Sequence, residues 1–326
     1  MVDGNGQAFT LAKNSSFQLI LLSAFFFFAN ALFVEAEPAY KVLTLPGALR
    51  TECEPFRKQY QNPFGEKKLR TILENGETYR LYVRAQIKKR QLPAELEYLP
   101  VIESEYLPHA RSKDGKGVGM WQFMMNSVKP FLTVNEWIDE RLDPWKETDA
   151  ALSKLTDNYK IFGDWLLAIA AYNCGAGAMQ RALQKTQEKS FWAVAQTPYI
   201  PEHTKRYIPK FLAIADLAEN SAYYGLNLPD AKDKNGNPIN PDTEKFDYIE
   251  TNQVIPLRLF AAELRIDISI LEELNPALIY KMTPPEQSYN LRLPTGMKEP
   301  AQYYLDSQIK NQAEQKRSLQ NFQKQN

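Results

Sequence analysis

The first strong pattern along the chain is an apolar run, Phe17-Gln-Leu-Ile-Leu-Leu-Ser-Ala-Phe-Phe-Phe-Phe-Ala29, preceded by Lys13 and followed by small residues. Ala29-Asn-Ala31 and Val34-Glu-Ala36 both fit a small-x-small cleavage site, and the polar Glu37-Pro38 that follows favours the second. The run is short against the roughly 20 residues that span a bilayer. Residues 1–36 are therefore expected to be a cleaved signal peptide, with a membrane tether only if that segment stays uncleaved. Export to the periplasm or cell envelope follows. Residues 37–66 are Pro-rich and without period, which predicts an extended N-terminal segment. From Lys67 the apolar positions fall at helical spacing, first Leu69, Ile72 and Leu73, then Tyr79, Tyr82, Val83 and Ile87. Another helix is expected to start near Pro93, tolerated in a first turn. Further helices are predicted over 143–162, 165–172, 176–185 and 204–222. Almost nothing between 67 and 225 alternates like a strand, so 67–228 is expected to be a mainly α domain.

Residues 229–245 are polar and turn-rich, with Asn235-Gly-Asn-Pro238 at their centre, and read as a linker. Beyond them, 246–296 combines two β-like runs, 246–250 and 289–293, with two short helical patterns, 257–264 and 268–274. That order, β-α-α-β, predicts a small α+β module. The tail 297–326 is rich in Gln, Lys and Asn and is expected to be loose, with Leu305 and Ile309 supporting a helical turn or two.

Hydrophobic residues make up 44% of the 326 and charged residues 24%, ordinary values for a folded chain. Lys+Arg and Asp+Glu both number 39, so no global basic field exists to hold nucleic acid. There are two Cys, Cys53 and Cys174, and two His, His109 and His203. Neither HxxxH nor CxxC spacing occurs, so no zinc site, and no cofactor, is expected. Export would permit a Cys53–Cys174 disulfide; two buried free thiols are preferred, because Cys is among the most buried residue types.

The chemistry concentrates in Leu99-Pro-Val-Ile-Glu-Ser-Glu-Tyr-Leu-Pro-His-Ala-Arg-Ser112 and Gly117-Val-Gly-Met-Trp-Gln-Phe-Met124. Glu103 follows Leu99, Val101 and Ile102 at the end of a short apolar helix. Desolvation and a helix C-terminus both raise a carboxyl pKa, which keeps the group protonated and able to donate. Glu105 has no such apolar run behind it. Taken alone, Glu103 also fits a surface residue just past a helix.

Glu103-Ser104 with Ser112 nine residues on, followed by Gly119-Met-Trp-Gln-Phe-Met124, resembles the catalytic core of the soluble-type (SLT) lytic transglycosylase superfamily. Ala170-Ala-Tyr-Asn-Cys-Gly175 is similar to its Ala-Tyr-Asn-Ala-Gly segment. Asp139-Glu-Arg-Leu-Asp-Pro144, Phe162-Gly-Asp-Trp165 and Thr204-Lys-Arg-Tyr-Ile-Pro209 resemble the branch typified by membrane-bound lytic murein transglycosylase D. The ordered match covers roughly residues 67 to 225. It implies a lysozyme-like, mainly α domain acting on peptidoglycan glycan strands. It also implies Glu103 as the single catalytic acid/base, Ser112 hydrogen-bonding near it, and Gln122, Tyr172, Asn173 and Tyr207 as substrate-binding residues. Trp121 is expected in the core. There are departures: the Gly-rich loop has one residue more, near Lys116 and Gly117, Cys174 replaces Ala, and His203 stands where the family has Glu. His203 is therefore a secondary candidate, either a titrating group beside the groove or a solvated residue at a helix start. The module at 246–296 resembles a degenerate LysM domain: Leu274-Asn-Pro276 and Leu291-Arg-Leu-Pro294 fit, while Thr251-Asn-Gln253 replaces the usual Gly-Asp-Thr.

The resemblance implies cleavage of the MurNAc-β-1,4-GlcNAc bond with formation of a 1,6-anhydro end. Two other readings stand beside it. A lysozyme-type hydrolase would need a second carboxylate across the groove, for which Asp139 and Asp143 are the candidates. A non-catalytic wall-binding protein would have no need of Glu103 in its apolar setting.

Overall fold

The computed structural model describes residues 38–229 and 246–325. The signal-peptide reading of 1–36 and nearly all of the linker reading of 229–245 lie outside the described residues. The first helices are α1 (Glu54–Tyr60), α2 (Pro63–Asn75) and α3 (Glu77–Lys89), which lead to a 3-10 turn at Ala94–Tyr98 and the short α4 (Leu99–Ser104). After a long irregular stretch come α5 (Pro144–Phe162), α6 (Trp165–Cys174), α7 (Ala176–Thr186), α8 (Phe191–Ala195) and α9 (Glu202–Glu219). Then follow β1 (Phe246–Thr251), α10 (Leu257–Leu264), α11 (Ile268–Leu274), β2 (Tyr289–Pro294) and α12 (Lys298–Gln325). The fold is mainly α, as the helical spacing predicts.

The helices start and stop where local chemistry says they should. Asp143 and Asp164 cap α5 and α6, accepting from the amides of Lys146 and Leu167 at 3.0 and 2.9 Å. Gly163 ends α5 at φ 65°, a left-handed turn. Seven consecutive residues of α6, Leu166 to Tyr172, are buried. A helix apolar on all sides belongs in a core, and α6 is the central helix, packed by α5, α7 and α9. The main hydrophobic cluster around it draws Leu69, Leu73, Leu96, Leu99, Trp121 and Phe211 from both ends of the domain.

The expected extended segment at 37–66 is corrected: residues 54–60 and everything from Pro63 onward are helical. Pro55 and Pro63, which read as breakers, each occupy a first turn, where a missing N–H costs nothing. Asn62 caps α2 by accepting from the amide of Gly65 at 3.0 Å. A Cβ on Gly65 would lie 2.0 Å from the Gln59 carbonyl, so only glycine lets α1 and α2 meet this closely. The helix α1 is also pinned to α9 by a buried pair, Arg57 with Asp216 at 2.9 Å. No sequence period reports that contact.

The strands β1 and β2 pair antiparallel, from Phe246 opposite Pro294 to Thr251 opposite Tyr289. With α10 and α11 they enclose a second cluster of Ile249, Leu257, Phe260, Leu271, Leu291 and Leu293. The loose tail is likewise corrected, because 298–325 is one helix. Ala301 and Leu305 bury its first turns in the second cluster, and a run of good helix formers carries it onward.

Ile138 also belongs to that second cluster, and it joins the module to the larger domain. The amide of Asp139 donates to Ala277 O at 2.9 Å, and that of Ile279 to Trp137 O at 3.0 Å. Arg292 of β2 pairs with the fully buried Asp143 at the start of α5. Its guanidinium lies 4.9 Å from the Trp145 ring and 5.5 Å from the Phe246 ring. No helix of the described residues is long and apolar enough to cross a membrane.

Candidate active site

The short helix α4 ends sharply. Glu105 and Tyr106 both take left-handed backbone, φ 56° and 61°, and the Tyr106 amide closes on Pro100 O at 3.1 Å. Tyr106 then turns inward and donates to Glu97 O at 2.5 Å. The helix thus stops one residue past Glu103, whose carboxyl projects among α5, α6 and α9. Burial pushes its pKa up to about 7; the Tyr207 hydroxyl and the charges of Lys154 and Lys210 act in the opposite sense. Tyr207 donates to Glu103 Oε1 at 2.5 Å. A carboxyl poised near neutrality is half protonated there, so it can act as acid and then as base.

Beneath Glu103 lies a tight hairpin. Val118 bridges both Arg111 and Phe123, and Gly119 turns the chain at φ 89°. A Cβ on Gly119 would lie 1.9 Å from Arg141 O and 2.5 Å from a carboxylate oxygen of Glu147. No residue but glycine fits. The helix α5 grips this hairpin twice. Thr148 accepts from the Trp121 indole N–H at 3.0 Å, and Glu147, fully buried, faces the amides of Trp121, Met120 and Phe123. The hairpin in turn holds the site, since Ser104 donates to Met120 O at 2.7 Å and Tyr172 to Trp121 O at 2.9 Å.

Of the residues singled out from the sequence, Tyr207 touches Glu103 directly. Tyr172 is buried, edge-on to Phe123, and senses the charge of Glu103. Asn173 accepts from Thr204 at 2.8 Å, a bond that ties α6 to α9. Gln122 sits on the hairpin at φ 55° and donates to Gly119 O at 2.8 Å. Ser112 is turned toward its own loop: its hydroxyl donates to Asp114 at 2.7 Å and accepts from the Gly117 amide at 2.8 Å. Among the described residues no hydrogen bond carries it to Glu103. Trp121 is in the core. His203 is exposed in the first turn of α9, and among the described residues no hydrogen bond or ion pair links it to the site. Cys53 and Cys174 are both free, and burial pushes the Cys53 thiol up to about 12, an inert group.

Sequence reasoning missed Lys154. Its ammonium lies 4.6 Å from the Tyr172 ring and 5.3 Å from the Phe123 ring, in the wall beside Glu103. No sequence signal marks it: Lys154 lies among the polar positions Ser153, Asp157 and Asn158 of α5, and only the fold brings it to this wall. The two carboxylates considered for a hydrolase are occupied. Asp139 pairs with Arg141 at 2.8 Å, and Asp143 pairs with Arg292 while capping α5.

Comparison with known proteins finds regions of similarity that take in these residues. The transglycosylase SLT domain family matches residues 81–195, and the LysM-like domain family of lytic transglycosylase MltD matches residues 245–309. Membrane-bound lytic murein transglycosylase D from two strains of Escherichia coli, K12 and O6:H1, is 37% identical over 185 residues. The match takes in 55% of this chain and 40% of each relative, so the chain spans about two-fifths of the length of the curated relatives it matches. Among solved structures, an inactive mutant of lytic transglycosylase Slt from Pseudomonas aeruginosa aligns with a TM-score of 0.37 at 22% identity, over 44% of this chain and 24% of that one. The chain therefore joins a transglycosylase SLT domain to a LysM-like domain of the MltD kind.

Proposed function

We propose that this chain is an exported lytic transglycosylase that cleaves the β-1,4 bond between N-acetylmuramic acid and N-acetylglucosamine in peptidoglycan. The observation that carries the reading is the isolation of Glu103: a carboxyl raised to about 7, bonded to one phenol, with Asp139 and Asp143 held by arginines. Hydrolases of the two-carboxylate type need a second free acid across the scissile bond. Here one group does both jobs. Glu103 gives its proton to the bridging oxygen, the C1–O bond breaks, and N-acetylglucosamine leaves as the alcohol. The muramic acid acetamido oxygen shields the cationic C1, as in substrate-assisted glycosidases. The C6 hydroxyl then attacks C1 and its proton returns to Glu103, which closes a 1,6-anhydro ring without water. Tyr207 steadies the carboxylate between the two transfers, and Lys154 and Lys210 favour the same ionised form.

Ser112, Gln122, Tyr172 and Asn173 are read as substrate contacts on the strength of the family resemblance and of their places on the hairpin and on α6. The apolar run at 17–29 and the Ala-containing sites behind it support export to the envelope. The test is the mass of fragments released from purified sacculi. Transglycosylation gives anhydro ends, one water lighter than hydrolysed ends; fragments that carry only reducing ends would replace this reading with a hydrolase.

A further inference from the structure

A hollow whose lining includes Glu105, two residues past Glu103, is built largely by the helix α2, ahead of the residues that match the SLT domain. Its volume is about 360 Å³, within the range of small-ligand pockets. Ile72 forms an apolar floor, and Phe64 and Leu107 stand on the rim, 81% and 49% exposed. A phenyl ring left that open to water gains nothing in the free protein; it gains on contact with an apolar group. The rest of the lining is charged. Lys68 pairs with Glu105 at 2.7 Å, whereas Lys67 has no ion-pair partner among the described residues. Lys210, three residues after Tyr207 on α9, feels the charges of Lys68, Glu105 and Glu103 at once. Counting Lys67, Lys68 and Glu105, the hollow carries an excess of one positive charge on an apolar base.

We propose that this hollow is a subsite for the peptide stem of the glycan strand, in which Phe64 and Leu107 cover the stem's aliphatic side chains and Lys67 meets its free carboxylates. The proposal rests on the reading of Glu103 as the acid that cleaves next to muramic acid. Muramic acid is the sugar that bears the peptide, through its lactyl ether, so a stem must leave the cleavage point within reach of the walls beside Glu103. Peptidoglycan stems combine aliphatic side chains with several carboxylates, and the hollow offers both complements. A strand without stems carries only the lactyl carboxylate of each muramic acid and has no aliphatic side chain for Phe64 and Leu107 to cover.

The experiment is calorimetric binding of two soluble ligands to the full chain: GlcNAc-MurNAc carrying a tetrapeptide stem, and the same disaccharide without it. Neither contains a MurNAc–GlcNAc bond, so neither is turned over. The stem-bearing ligand is expected to bind roughly tenfold more tightly. In Phe64→Ala/Lys67→Glu that advantage falls below about threefold, and Lys67→Glu alone loses part of it, more at low salt than at high. Phe64 and Lys67 are both exposed, so the variants should keep the melting temperature of the parent. Equal affinity of the parent for the two ligands, or an advantage that survives the double substitution, overturns the proposal. Failure of the parent to release anhydro ends from sacculi, with the stem advantage intact, would instead overturn the catalytic reading and leave the subsite standing.

Discussion

Two buried carboxylates of the SLT domain show how the same group becomes chemistry in one place and structure in another. Asp143 is fully buried and completely partnered: one oxygen caps α5, and the other takes the guanidinium of Arg292, itself held between aromatic rings. Glu103 is packed among three helices but has one phenol hydroxyl and no cation in contact. Burial with full pairing fixes a charge and joins two domains. Burial with a single neutral donor leaves the proton free to come and go near pH 7. The difference lies in what surrounds each group.

The largest effect of disturbing this contrast should come at the paired end. Arg292→Met orphans a buried carboxylate, which typically costs about 3–5 kcal/mol. Denaturant unfolding of the variant should show that loss; a change under about 1 kcal/mol would mean the pair does not hold the module. At the unpaired end, Tyr207→Phe removes the one hydroxyl that is bonded to Glu103 among the described residues. That hydroxyl favours the ionised form, so its loss moves the Glu103 pKa further above 7 and carries the alkaline limb of kcat/KM to higher pH. The carboxylate left by the first proton transfer loses its stabilising hydroxyl as well, and kcat should fall about tenfold, the order of a hydrogen bond to a charged group. A limb that stays in place would separate Tyr207 from the titrating group. The smallest effect is expected at His203. Because it is exposed and no hydrogen bond or ion pair links it to the site among the described residues, His203→Gln should leave the pH–rate profile unchanged; a lost limb near pH 6–7 would restore it as a working group.

The catalytic end was readable in the amino-acid sequence because its signals are local. Glu103 closes a run of apolar residues, and Gly119 stands where a hairpin admits no side chain. The spans of α5, α6, α10 and α11 are visible in spacing alone. What could not be read is whatever depends on partners far along the chain. Arg292 lies 149 residues from Asp143, and Asp143 looked free to serve as a second catalytic acid until that contact was known. Residues 54–66 looked extended because proline was read as a breaker, whereas their folding depends on Arg57 meeting Asp216. The tail looked loose because Leu305 and Ile309 alone gave it an apolar spacing; Ala301 and Leu305 suffice to anchor it because a core waits for them.

The most direct measurement is Glu103→Gln, assayed for turnover of sacculi and for stability across pH. Glutamine keeps the shape and the bond to Tyr207 but has no proton to move, so turnover should fall by at least about 10²–10⁴-fold. The stability readout carries the opposite sign. The folded-state pKa of Glu103 is raised above its ordinary value, so its contribution is full below that ordinary value and is lost as pH rises through about 7. At pH 8 the variant should therefore be at least as stable as the parent. A variant inactive and no less stable at pH 8 is the predicted result; turnover within a few-fold of the parent would contradict the assignment of Glu103 outright.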